Sequence, residues 1–200
     1  MKRIIALIVF MAIMINGLIA QNGKLNWIGL NASMSSEALI RYGGELEGGF
    51  SYNGKIGFLI GFGFSRVIND KFDFESGIDY SSHSFNHSYI DDMGQIIKSV
   101  NPVDLLTIPI NIRIKFQKLF FVTGGIQYDK RFNVTNSQSV DDQTGIGINF
   151  KVGKDFRLSD KMILYIAPEL LVHDIVPFNP VKYQQRLTEL GLRISYKFGL

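Results

Sequence analysis

The chain has 200 residues, 46% hydrophobic and 20% charged, which suits one folded domain and excludes the polar composition of a disordered chain. It contains no cysteine, so a disulfide framework, a thiolate metal site and a lipidated cysteine anchor are all excluded. The net charge of +3 rests on the N-terminus: without the first twenty residues, which hold Lys2, Arg3 and no acid, it falls to +1 and leaves no nucleic-acid footprint.

Met1-Lys2-Arg3, the apolar run from Ile4 to Ile15 and the small residue Ala20 before Gln21 have the layout of an export signal. A spanning helix needs about 20 apolar residues, more than this run supplies. Residues 1–20 are therefore expected to be a signal peptide cut between Ala20 and Gln21, with residues 21–200 as the mature domain. Leu18, two places before Ala20, is larger than an ideal processing site carries.

Further along, apolar residues recur on every second position, the period of a strand with two different faces. Ile56, Phe58, Ile60, Phe62 and Phe64 share one face, with Gly57, Leu59, Gly61, Gly63 and Ser65 on the other. Leu106, Ile108, Ile110, Ile112, Ile114 and Phe116 likewise oppose Thr107, Asn111, Arg113 and Lys115. The whole pattern predicts strands near 24–34, 55–67, 72–82, 104–116, 119–131, 145–158, 162–173 and 188–198. The first is the weakest, with only Ile28, Leu30, Ala32 and Met34 in phase. Asn69-Asp70, Gln117-Lys118 and Ser159-Asp160 mark short hairpin turns, whereas 35–54, 84–103, 132–144 and 174–187 are long and polar. Short turns on one side and long loops on the other predict an all-β fold: an eight-stranded antiparallel up-and-down transmembrane β-barrel of the outer-membrane type.

Size decides which face points outward. Some five bulky residues from each of about eight strands would not fit a lumen barely wide enough for ordinary side chains. Gly57, Gly61, Gly63, Gly147 and Gly191 suit the crowded interior, so the Ile and Phe rows are expected to face lipid. Phe72, Tyr80, Phe116, Phe120, Tyr128, Tyr196 and Phe198 near strand ends then supply the interfacial girdles. Pro109 and Pro168 fall inside predicted strands, where a closed barrel has no free edge, and a bulge or a local break is expected at each.

The lumen face carries Asp73, Glu75, Asp79, Asp129 and Glu169 against Arg113, Lys115, Lys151, Arg193 and Lys197. Mixed signs in a narrow interior point to cross-strand salt bridges that act structurally, with an ion path as the alternative. His83 and His87 with Asp91 and Asp92 have a metal-like spacing only on a helix, and this stretch does not read as one. Ser84 or Ser88 with a histidine and a carboxylate imitates a hydrolytic triad, but no Gly-x-Ser-x-Gly elbow accompanies them. Asn133-Val134-Thr135 matches a glycosylation pattern that has no bearing on a bacterial outer-membrane protein. Gly61-Phe62-Gly63 and Gly145-Ile146-Gly147 open no helix and so make no nucleotide loop.

The stretch Leu105-Leu106-Thr107-Ile108-Pro109-Ile110-Asn111-Ile112-Arg113-Ile114-Lys115 resembles the central strand of the PorT-like outer-membrane β-barrel family. Gly77-Ile78-Asp79-Tyr80-Ser81-Ser82 before it, and Phe121-Val122-Thr123-Gly124-Gly125, Gly145 to Gly153 and Gly191 to Phe198 after it, fall in that family's order. Thr107 replaces a usual Glu, and Gly199-Leu200 follow the terminal aromatic residue. The resemblance implies an eight-stranded barrel in a Gram-negative outer membrane, a family proline at Pro109, some members tied to secretion and gliding machinery, and no catalytic residues. The expected protein is a non-enzymatic monomer without cofactor or metal. Its expected partners are outer-membrane lipid and other envelope or secretion-system proteins, and no nucleic acid. A narrow pore and a lipid-modifying hydrolase are the rival functions.

Overall fold

The structure, a computed structural model, describes residues 26–41, 51–90, 96–116, 119–132, 140–180 and 184–200. Its strands are β1 (Asn26–Arg41), β2 (Ser51–Gly54), β3 (Ile56–Val67), β4 (Phe72–Ile90), β5 (Ile96–Phe116), β6 (Phe120–Arg131), β7 (Gly145–Ser159), β8 (Met162–Pro177) and β9 (Gln185–Gly199). Every ladder is antiparallel, and the pairing of β1 with β9 closes the sheet on itself. β2 continues β3 along the same neighbour, with Lys55 N donating to Ser84 O at 3.0 Å between them, so the wall has eight staves. Closure removes the free edges of an open sheet over the lipid-facing span of the wall, which satisfies backbone groups where no water can.

The alternation sets the two faces. Ile60 and Phe62 stand 63% and 70% exposed on the outside, whereas their neighbour Leu59 is 4% exposed on the inside. Ile110, Ile112, Ile126, Ile148, Phe150, Leu170, Leu190 and Leu192 continue the outer apolar surface around the barrel. Such a surface is costly in water and favourable in hydrocarbon, and around a charged interior it makes the fold a transmembrane barrel. The short turns and both described chain ends share one rim, and the long connections share the other.

Strands run further at the long-loop rim than the apolar pattern predicts. β1 reaches Arg41, and the β4–β5 hairpin stays paired out to Ile90 and Ile96. The outward apolar rows thin out at this rim, with Ser36 and Asn86 exposed on the outer face, while the ladder continues and its inner face carries Glu37 and His83 and then Phe85 and Val103.

Both prolines sit at local breaks. Between the pairs Ser76–Ile110 and Asp79–Thr107 the β4–β5 ladder is interrupted without a change of register, and Ser76 Oγ donates to Pro109 O at 2.9 Å. The β7–β8 ladder is interrupted in the same manner between Lys151–Glu169 and Lys154–Ile166, opposite Pro168. A true register shift lies elsewhere in β8, between Ile146–Val176 and Ile148–Val172. There Asp174 adopts φ 54°, a left-handed conformation, and His173 and Asp174 are consecutive buried residues.

Candidate functional site

The lumen is filled in tiers, each built from residues in phase on neighbouring strands. At the short-turn end, Lys115 Nζ lies 2.8 Å from Asp73 Oδ1, and Arg113 bridges Glu75 (3.1 Å) and Asp155 (2.5 Å). Lys197 Nζ donates to the same Glu75 oxygen at 2.7 Å. The Arg113 guanidinium also stacks 3.5 Å from the centroid of Phe121, whose ring meets Tyr165 edge-on at 5.3 Å. Apolar ring and cation thus fill this end together.

In the middle, Arg193 Nε donates to Glu169 at 2.6 Å and its Nη1 to Asp79 at 2.9 Å. Asn31 Nδ2 donates to the other Asp79 oxygen at 3.3 Å, and Ser195 Oγ donates to Asn31 at 2.7 Å. Arg193, Asp79 and Glu169 come from three different strands and are buried. The cavity beside them, lined by Asn31, Glu75, Lys151, Arg193 and Lys197 among others, measures about 20 Å³. That is room for about one water molecule.

Above this tier runs a continuous acid–histidine chain. Glu37 Oε1 lies 2.7 Å from His83 Nδ1, and His83 Nε2 lies 3.4 Å from Glu189 Oε1. Glu189 Oε1 is 2.7 Å from His173 Nε2, and His173 Nδ1 is 3.0 Å from Asp129 Oδ2. Ser35 Oγ donates to Glu189 at 2.6 Å, Thr107 Oγ1 donates to Asp129 at 2.7 Å, and Ser81 Oγ sits 2.8 Å from His83 Nε2. His173 thus has an acid oxygen at each ring nitrogen, and Gln127 Nε2 lies 3.1 Å from its Nδ1. Inward glycines give these groups their space. A Cβ on Gly57 would lie 2.8 Å from His83 Nδ1 and collide with Glu37, and one on Gly61 would collide with Asp79.

Asp73, Glu75, Asp79, Arg113, Lys115, Glu169 and Arg193 all enter these tiers, with Asp129, Lys151 and Lys197. The lumen residues Glu37, Glu189 and Asp155 were not named from the sequence, the last in phase with Lys151. Glu37 and His83 lie beyond the expected strand ends at residues 34 and 82, although both are in phase with their lumen-facing predecessors. Glu189 shares phase with Gly191 and Arg193 and was legible there. The segment holding Ala20 and Gln21 lies outside the described residues, as do Asp91, Asp92 and the side chain of His87.

Solved structures share this architecture. Neisserial surface protein A matches with a TM-score of 0.51 at 16% identity, over 88% of this chain and 100% of that one. The outer membrane protein AlkL, determined by solid-state NMR in DMPC lipid bilayers, matches with a TM-score of 0.51 at 14% identity, over 90% of this chain and 92% of that one. At such identities the likeness concerns the fold, which is that of the outer-membrane β-barrels. No family profile and no curated protein matches the sequence.

Proposed function

We propose that this chain is a non-enzymatic outer-membrane barrel whose lumen is a structural plug of paired charges. Its long-loop end then faces the exterior and binds a partner, or supports an envelope or secretion assembly as the PorT-like resemblance implies. The observation that carries the plug reading is Arg193, forked between Asp79 and Glu169 across the middle of the barrel with all three side chains buried. An ion path would keep such charges wet and unpaired along a continuous opening. Planar-bilayer recording of the refolded protein tests this, and no ion-selective conductance is expected. Cross-linking in intact cells with identification of the captured protein tests the partner role, and a reproducible envelope protein is the expected product.

One observation favours hydrolysis as the second reading. Ser81 Oγ, His83 and Glu37 stand in the order of a nucleophile, base and orienting acid, at 2.8 and 2.7 Å. All three side chains are buried inside the wall, beneath the apolar residues of the long-loop mouth, whereas lipid lies outside it. A nucleophile sealed from its substrate serves packing. Release of acyl chains from outer-leaflet lipid that disappears in Ser81→Ala would reverse this assignment.

A further inference from the structure

At the long-loop mouth the inward faces turn apolar: Phe85, Val103, Leu105 and Leu187 are fully buried, and Leu39 packs against them. Beside this well the wall is incomplete. The β8–β9 ladder ends at Val172 and Thr188, and past the shift at Asp174 β8 keeps its pairing with β7, through Val176 and Pro177, but not with β9. Residues 185–187 of β9 therefore pair with β1 on one side and meet no β8 ladder on the other.

Residues 140–143, between β6 and β7, fill both places. Val140 joins the apolar cluster. Gln143 Nε2 donates to Gln185 O at 2.8 Å, and Leu187 N donates to Gln143 Oε1 at 2.8 Å. Gln185 N donates to Asp141 Oδ2 at 2.7 Å. The side-chain amide of Gln143 thereby makes the two bonds that the N–H and C=O of one residue in an added parallel strand would make. Arg131 Nη1 holds the segment from below, donating to the carbonyls of Val140 and Asp141 at 2.9 and 3.0 Å.

We propose that this slot is a docking site for an extended peptide segment of a partner protein, and that residues 140–143 are the chain's own occupant, an autoinhibitory stopper. A freed strand edge supplies the main-chain bonds, the well takes one apolar side chain, and Arg131 reads the neighbouring carbonyls. Each of these is a feature of peptide recognition by strand addition. The proposal deepens the partner-binding reading and rests on the long loops facing the exterior.

The chain has no cysteine, so Leu105→Cys is a clean reporter at the floor of the well. In full-length protein refolded into phosphatidylcholine vesicles, a charged maleimide is expected to label it at least about tenfold faster once Val140→Gly and Gln143→Ala release the stopper. A capped peptide of residues 138–145 at millimolar concentration is then expected to slow labelling at least threefold, and the same peptide with Asp in place of Val140 is not. If the double variant does not refold, Gln143→Ala alone carries the comparison. Equal labelling with and without the stopper, or equal protection by both peptides, would overturn the proposal. Pro180→Cys, exposed at the same rim, separately reports which side the loops face in intact cells. Its failure to label from outside would overturn the exterior reading while the vesicle comparison still decides the slot.

Discussion

Replacing Arg193 by Met is the sharpest test of how the lumen is held together. The substitution keeps most of the aliphatic bulk but removes the two bonds, 2.6 Å to Glu169 and 2.9 Å to Asp79, that join β9 to β8 and β4. Two buried carboxylates then face each other, with the 3.3 Å bond from Asn31 as the direct contact left to Asp79. Breaking one side of a buried ion pair commonly costs about 3–5 kcal/mol, because the remaining charge keeps its desolvation penalty without its partner. Two orphaned acids place the expected loss at the upper end of that range, and nearby Lys151 moves it back toward the middle. A loss of about 4 kcal/mol at a urea slope of about 2 kcal/mol/M lowers the midpoint by roughly 2 M. The single tryptophan, Trp27, is buried at the short-turn end and gives the fluorescence signal for that titration. Adding Asp79→Asn and Glu169→Gln to Arg193→Met should recover part of the loss, since it removes the two orphaned carboxylates while Lys151 keeps Glu75 as a nearby acid. A midpoint within 0.3 M of the parent, about 0.6 kcal/mol at the same slope, combined with altered ion selectivity in a planar bilayer, would refute the plug and identify an ion path.

Three further outcomes follow from the two faces and the expected leader. Ile110→Arg puts a cation on the lipid side of β5 and should cost about 2–4 kcal/mol in a vesicle refolding assay, whereas Ile110→Leu should be nearly neutral. Gly57→Ala should destabilise markedly because its Cβ meets Glu37 and His83, while Gly124→Ala, whose nearest contact would be Phe150 Cδ2 at 3.8 Å, should change the urea midpoint little; equal effects would remove close packing as the reason for Gly57. Membrane-purified protein should begin at or near Gln21, and terminal sequencing that finds Met1 retained would make the leader an anchor.

The outer wall was legible because lipid and lumen impose opposite polarity on successive residues. Ile56 to Phe64 and Leu106 to Phe116 show that rule with few exceptions, so strand number, pairing order and the lumen residues Asp79, Arg113, Glu169 and Arg193 could all be read by phase. Strand ends were not legible by the same means. Past Met34 and Ser82 there is no lipid to demand apolar residues, yet β1 and β4 continue, and with them Glu37 and His83 enter the lumen. Phase names the residues that face inward, but it does not say which acid meets which base. Arg113 pairs with Asp155 of β7, past the intervening β6, as well as with Glu75 of the adjacent β4, a contact that no local pattern encodes.

The bulge at Asp174 is where the strand rule stops and a different structure begins. Strict alternation through Glu169, Leu171 and His173 would point Asp174 at the outside, where a carboxylate near lipid is unfavourable. β8 carries two residues more than β7 across this shift, and with the left-handed Asp174 among them both His173, which reaches Glu189 and Asp129, and Asp174 turn inward, where Gln184 Nε2 donates to Asp174. Gly145 leaves it the space, since a Cβ there would collide with Asp174. The same displacement ends the β8–β9 ladder at Val172 and Thr188, and the backbone groups of Gln185 and Leu187 then need other partners. Gln143 and Asp141 supply them from a connection that carries no strand pattern of its own. The two extra residues of β8 therefore serve the acid–histidine chain and, by the same geometry, create the strand edge on which the mouth is closed.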